Sequence, residues 1–182
     1  MVDLILGKQK QTTIGRGAFP PKFKTFPQEL QNKISEYCKQ GGNIFISGAY
    51  VASDLWDTEN PLKEDQEFAS GILRYKWRTG RAAVEGKVKS VASPFTELKG
   101  VYDFHTKLNS ECYAAESPDA IEPVGNNCHI IFRYSENNIS AGVAYSGNYK
   151  TCILGFPFEV IKDEMQRNKL MEGILLFMNA HR

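Results

Sequence analysis

Ser47 is the first residue whose type and position suggest chemistry. It closes a short apolar run in the stretch GGNIFISGAYVASDL, residues 41–55. The pattern reads as a strand, a sharp turn and a helix start, the place where many α/β enzymes expose a nucleophile. A serine nucleophile needs a base within hydrogen-bond reach and a carboxylate to orient that base. Three histidines, His105, His129 and His181, are available as bases. His105, beside Asp103 and Thr106, gives the triad Ser47, His105 and Asp54. The spacing does not favour it, because Phe45 occupies the position of the first glycine in G-x-S-x-G. The preferred reading is that Ser47 ends the strand and its hydroxyl caps the following turn. The turn can still offer backbone N–H groups at a strand's carboxyl end, where open α/β sheets hold ligands. Gly48, Ala49 and Tyr50 are therefore ligand-binding candidates for a carboxylate or the polar edge of a sugar, with Tyr50 as a stacking face.

The remaining reactive types carry less. Asp54, Asp57, Glu59, Glu64, Asp65 and Glu67 form an acidic run. It lacks the D-x-D-x-D-G loop of a calcium site, and early helix acids favour the helix dipole, so it reads as a helix start. Cys38, Cys112, Cys128 and Cys152 show no CxxC or His/Cys spacing, and neither a metal nor a cofactor is expected. Cys38 and Cys152 read as small core residues. Cys112 and Cys128 flank a loop, and the sequence leaves their pairing open. Asn138-Ile139-Ser140 is a glycosylation sequon by pattern alone.

The elements that position these residues are read from periodicity. Val2 to Leu6 is a strand expected to be buried on both faces. Residues 8–24, broken by Gly and Pro and carrying scattered Lys and Arg, read as a solvated loop. Thr25 and Gln28 have capping-box spacing, with Pro27 in the first turn. Leu30, Ile34, Tyr37 and Cys38 form a helix stripe that Gly41 and Gly42 end. A second helix begins near Asn60-Pro61 with Leu62, Phe68 and Ile72 on its inner side; Tyr75 and Trp77 follow, and Gly80 closes the segment. Val84 to Val91 alternates with a period of two, and Val101–Phe104 and Cys112–Ala114 are short strand candidates. Ser117-Pro118-Asp119 reads as a turn. Segments 129–134, 139–145 and 149–154 predict an antiparallel meander, and a helix closes the chain.

The totals bound the function. The chain has 182 residues, of which 42% are apolar, enough for a core and against disorder. Lys plus Arg number 22 and Asp plus Glu 21, so no net field draws the surface to nucleic acid or an anionic membrane. No stretch is long enough to span a bilayer, and no signal peptide is visible. One domain covering 1–182 is expected, as a fragment of a larger protein.

Two blocks carry a resemblance. They are Tyr37-Cys38-Lys39-Gln40-Gly41-Gly42-Asn43-Ile44-Phe45-Ile46-Ser47-Gly48, and the run from Tyr145 through Gly155-Phe156-Pro157-Phe158-Glu159 into the last helix. In this order they resemble class I glutamine amidotransferase-like domains. With Ser47-Gly48-Ala49-Tyr50-Val51 and Asp54-Leu55, the chain is similar to a C-terminal module of secreted Bacteroidetes proteins labelled xanthan lyase or golvesin-domain proteins. The resemblance implies a three-layer flavodoxin-like α/β fold and an extracellular, periplasmic or cell-surface location. Within it the sheet is expected to be parallel in its N-terminal part and an antiparallel meander in its C-terminal half. Active amidotransferases carry a Cys on a G-x-C-x-G turn, a late His, and a Glu two residues beyond it. Here no such Cys exists, and Phe156-Pro157-Phe158-Glu159 supplies only the acidic position. Glu159 joins Gly48, Ala49 and Tyr50 as a ligand-binding candidate. The expectation is a non-catalytic accessory or glycan-binding domain whose partners are neighbouring domains or carbohydrate. The alternatives are a polysaccharide- or peptidoglycan-active hydrolase or lyase, and a degenerate amidotransferase that scaffolds a partner enzyme.

Overall fold

The computed structural model describes residues 1–180. Strand β1 (Val2–Gly7) is followed by an exposed hairpin, β2 (Thr12–Ile14) and β3 (Phe19–Lys22). Helix α1 (Gln28–Lys39) leads to β4 (Ile44–Gly48), which is buried along its whole length. Two short helices follow, α2 (Ser53–Trp56) and α3 (Lys63–Phe68), the second running into a π turn at residues 69–73. Then come β5 (Tyr75–Thr79), β6 (Lys87–Ser90), β7 (Val101–Asp103), β8 (Ala120–Pro123), β9 (Cys128–Tyr134), β10 (Ser140–Ser146) and β11 (Lys150–Leu154). Helix α4 (Glu164–Asn179) ends the described chain. Among the described residues, no helix is long and apolar enough to cross a membrane.

The main sheet has seven strands in the order β1-β4-β11-β10-β9-β6-β7. Only β1/β4 and β4/β11 pair in parallel; the other four pairings are antiparallel. The sheet curls into a half-barrel, with β5 and β8 forming a separate two-stranded ribbon. This overturns the expected three-layer flavodoxin-like sandwich. That fold needs a largely parallel sheet, with a helix crossing over between successive strands. Here the hairpin-joined strands from β9 onward make the chain mostly β, and the helices are few.

The two faces of the curled sheet are packed differently. One buries Phe45, Tyr102, Phe132 and Phe156 under α4, with Phe104 and Phe156 stacked at 4.9 Å. The other buries Ile44, Ile46, Val143 and Ile153 under α1 and the π turn, with Phe26 and Tyr75. Gly41 ends α1 in the left-handed region at φ +87°. The N–H of Gly41 donates to the Cys38 carbonyl and that of Gly42 to Tyr37, which satisfies the last turn. Lys150 is buried and donates from Nζ to the carbonyls of Phe177 and Ala180, at 2.7 Å each, so it caps the end of α4.

Several local expectations need correction. β1 is an edge strand whose Asp3 and Ile5 are exposed while Leu4 and Leu6 turn inward, so it is covered on one face only. Thr25 does not cap α1; its hydroxyl donates to the carbonyls of Gln9 and Tyr50. The helix expected from Asn60-Pro61 starts at Lys63 and ends at Leu73, where Arg74 turns left-handed, and Tyr75 and Trp77 after it lie on β5. Residues 112–114 form no strand. All four cysteines are free; Cys112 packs against the α4 face and Cys128 lies in the α1 face.

Candidate functional site

The chain between β1 and α1 forms a flap over the carboxyl end of β4. Asp54 fastens its neck. One oxygen accepts the N–H of Gln11 and the other the N–H of Thr25, both at 2.7 Å. Burial pushes the Asp54 carboxyl above its ordinary range, opposed by these hydrogen bonds and by Lys24. Lys24 in turn pairs with buried Asp65, which also accepts from Gln31 Nε2 at 2.6 Å. Two members of the acidic run are thus internal ties.

Beyond the neck the flap is exposed, and a groove of about 1030 Å³ opens between it and the ribbon. Lys10, Phe19 and Pro21 line the flap side, Tyr50, Asp57 and Glu59 the base, and Trp77, Thr79 and Arg81 the ribbon side. Lys10 Nζ lies 4.8 Å from the centre of the Tyr50 ring, a cation–π contact that holds one face of that ring.

The base of the groove rests on Asp119. Its Oδ2 accepts the N–H groups of Ala52 and Ser53, each at 2.8 Å. Its own N–H donates to the Gly155 carbonyl at 2.7 Å, and its carbonyl accepts from the Tyr134 hydroxyl at 2.7 Å. Gly155 is required by this approach, because a Cβ there would stand 2.1 Å from the Asp119 carbonyl oxygen. Burial pushes the Asp119 carboxyl up to about 7, against the pull of the Ser53 and Ala52 N–H groups. Ser53's hydroxyl lies close enough to favour the ionised form but outside hydrogen-bond geometry. Burial, followed by the charge of Asp119, also holds the Tyr75 and Tyr134 phenols well above their ordinary range.

The sequence candidates are placed apart. Ser47 is fully buried and its Oγ has no hydrogen-bond partner, so it neither caps the turn nor faces a base. His105 follows β7, the opposite edge strand; its backbone joins Val160 and Ala115. None of the hydrogen bonds among the described residues brings His105 to Ser47, and both oxygens of Asp54 are committed to the flap neck. His181 lies outside the described residues. Ala49's N–H already donates to the Gly7 carbonyl at 2.8 Å, and Gly48 is packed against Leu6. Only Tyr50 of the ligand-binding set lines the groove. Glu159 accepts from the Tyr113 hydroxyl with Oε1. Phe156 and Phe158 pack on the α4 face with Phe104 and Phe45, not beneath the Ser47 turn.

Sequence reasoning missed Asp119, Trp77 and Phe19. Asp119 sat in what read as a surface turn, although Ala120 and Ile121 directly after it form a buried pair that marks an inward-facing segment. Trp77 follows the second helix in sequence, and nothing local to it marks the ribbon strand that turns it toward the groove.

A curled mixed sheet with a clasped flap is thus the class of structure in hand. No family model matches the sequence, and no curated protein matches it. Among solved structures, the chain is similar to one described as the "mmIFT52 N-terminal domain". The likeness has 12% identity and a TM-score of 0.56, and covers 86% of this chain and 75% of that one. It shows the fold alone, and it agrees with the half-barrel rather than the flavodoxin-like expectation. The exo-β-1,4-mannosidase Op5Man5 from Opitutaceae bacterium strain TAV5 aligns at 14% identity and a TM-score of 0.48, over 85% of this chain. This chain spans 24% of that enzyme's length. Neither neighbour is described as an amidotransferase or a xanthan lyase.

Proposed function

We propose that the chain is a non-catalytic accessory module whose groove holds a carbohydrate, serving neighbouring domains of a larger extracellular or surface protein. The observation that carries this reading is the groove itself. It sets the aromatic rings of Phe19, Tyr50 and Trp77 among hydroxyl, amide and charged side chains. Sugars offer an apolar ring face and a polar hydroxyl edge, and sites of this mixed lining take both. The placement of Ser47, His105 and Asp54 supports a binding role over a hydrolytic one, since buried Ser47 hydrogen-bonds to neither of the other two and both Asp54 oxygens are taken by backbone N–H groups.

The test is calorimetric titration of the chain with neutral and acidic oligosaccharides, beside the same titration of Phe19→Ala. Binding of one class at micromolar to millimolar Kd, weakened about tenfold or more in Phe19→Ala, is the expected result. A chain that binds no glycan would end the proposal. A hydrolase or lyase is the second reading, favoured by the carboxylates of Asp57, Glu59 and Glu116 around the same groove. Release of reducing or unsaturated ends by the purified chain would select it.

A further inference from the structure

The ribbon side of the groove holds polar atoms that the protein itself does not satisfy. Ser53 Oγ, Trp77 Nε1 and Asp119 Oδ1 are all buried without a hydrogen-bond partner. Ser53 and Trp77 line the groove, and Asp119 lies directly behind Gly80, another lining residue. A Cβ built on Gly80 would stand 3.7 Å from Asp119 Oδ1 and 3.9 Å from Ser53 Cβ. Gly80 has no side chain, so this is the thinnest part of the wall. Buried polar groups are nearly always paired, and each exception calls for a physical reason. Three exceptions around one groove have a common reason if a ligand completes them.

Their chemistry specifies that ligand. The Trp77 N–H can only donate, the Asp119 carboxylate when ionised can only accept, and the Ser53 hydroxyl does both. A metal ion or an ammonium group would suit Asp119 but be repelled by the indole N–H. An anion would suit the indole but be repelled by the carboxylate. Neighbouring hydroxyls on one ring satisfy all three atoms. The rest of the lining is mixed in sign: Lys10 and Arg81 against Asp57, Glu59 and Glu116, the last paired with Lys8. No single-sign field selects a charged ligand.

Resting on the carbohydrate reading above, we infer that this wall is the hydrogen-bonding subsite for a neutral sugar ring. One ring hydroxyl donates to Asp119 Oδ1, a ring oxygen accepts from Trp77 Nε1, and Ser53 Oγ bridges between them. All three atoms are buried, and two of them, Asp119 Oδ1 and the Ser53 side chain, adjoin Gly80. The ligand reaches them at the gap over Gly80, with Ser53 rotating about its single side-chain bond. Phe19, 61% exposed on the facing flap, covers the apolar side of the ring.

The experiment titrates the full chain with neutral β-glucan, mannan and xylan oligosaccharides, using uronic-acid oligomers as the charged comparison. Trp77→Phe keeps an aromatic ring but removes the indole N–H together with the pyrrole ring. Incorporation of 3-benzothienylalanine at position 77 keeps the bicycle and removes only the N–H. Ser53→Ala removes only the hydroxyl, and Gly80→Val fills the gap. Neutral sugars are expected to bind and uronic-acid oligomers to bind at least tenfold more weakly. Trp77→Phe, the benzothienylalanine variant and Ser53→Ala should each weaken the best neutral ligand about tenfold, and Gly80→Val should abolish binding with the unfolding midpoint unchanged. If wild type binds sugar and Phe19→Ala weakens it, but the benzothienylalanine variant and Ser53→Ala do not, the subsite is wrong while the groove reading stands. If uronic-acid oligomers bind best, the neutral-ligand assignment is wrong. If wild type binds no sugar at all, both fall.

Discussion

Replacing Asp119 by asparagine isolates the one carboxyl whose burial dominates the site. Its pKa is pushed from the ordinary 3.8 up to about 7, chiefly by burial. The sign follows from linkage. A carboxyl whose folded pKa lies above its unfolded value contributes its full stability below the unfolded value. That contribution is lost as pH rises through the folded one. The difference is roughly 3 in pKa, or about 4 kcal/mol at most, since each pKa unit is worth about 1.4 kcal/mol. Asp119 is fully buried, so solvent screening does not reduce this figure. The groups facing it are Asp54 from α2, whose charge pushes its pKa up, and the phenols of Tyr75 on β5 and Tyr134 on β9. Asparagine keeps one carbonyl oxygen for the N–H groups of Ala52 and Ser53 and cannot ionise. Urea denaturation of both proteins, followed by tryptophan fluorescence from pH 4 to 8, reads the difference directly. Titrations shared by the two chains cancel in the subtraction. Between pH 4 and pH 8, wild type is expected to lose up to about 4 kcal/mol relative to Asp119→Asn, mostly between pH 5 and 8. Parallel stability curves would refute the reasoning, because Asp119 would then titrate alike in the folded and unfolded chains.

Other substitutions test the remaining ties. Asp54→Ala leaves the N–H groups of Gln11 and Thr25 without their acceptors, and should cost about 2–3 kcal/mol while speeding proteolysis within residues 12–24. Intact flap protection would show that the neck is held by something else. Gly155→Ala forces a Cβ to within 2.1 Å of the Asp119 carbonyl oxygen, so a loss of about 3 kcal/mol is expected in chemical denaturation. Lys150→Met removes the donor to the Phe177 and Ala180 carbonyls at the end of α4 and should cost about 2 kcal/mol; a stabilised variant would count against that cap. Ser47→Ala removes a buried hydroxyl that has no partner, so stability should stay within about 0.5 kcal/mol or rise slightly, with no activity lost. Loss of a measurable turnover in Ser47→Ala would reopen the catalytic reading.

Local structure was legible where one element's own pattern decided it. The stripe of Ile34 and Cys38 with the Gly41-Gly42 stop became α1, since helix periodicity and a left-handed cap are properties of adjacent residues. The apolar segments expected at 129–134 and 149–154 became β9 (Cys128–Tyr134) and β11 (Lys150–Leu154) for the same reason. What no single segment encodes is which strands pair. Val2–Leu6 reads as a continuous apolar run, and only the strand order reveals that it is an edge with Ile5 exposed. The short motifs behind the flavodoxin-like expectation record strand, turn and helix in sequence, but nothing of the four antiparallel pairings that curl the sheet.

The site was less legible than the fold because its central group works through distant backbone. Asp119 binds Ala52 and Ser53 by its side chain and Gly155 by its own N–H, across 67, 66 and 36 positions of sequence. Polar residues that tie distant segments look in sequence like ordinary turn residues, since Ser-Pro-Asp favours a turn wherever it falls. Ser47 is the opposite case, where the local strand-turn pattern invites chemistry and burial withholds it. Both cases have one physical origin: reactivity depends on solvent access and on a partner brought from elsewhere, and neither is a property of neighbours in the chain. The acidic run illustrates the point within 12 residues. Asp54 and Asp65 are buried ties, whereas Asp57 and Glu59, between them, remain exposed at the groove. Composition made these four carboxylates alike, and the fold gives two of them to internal ties and two to the groove.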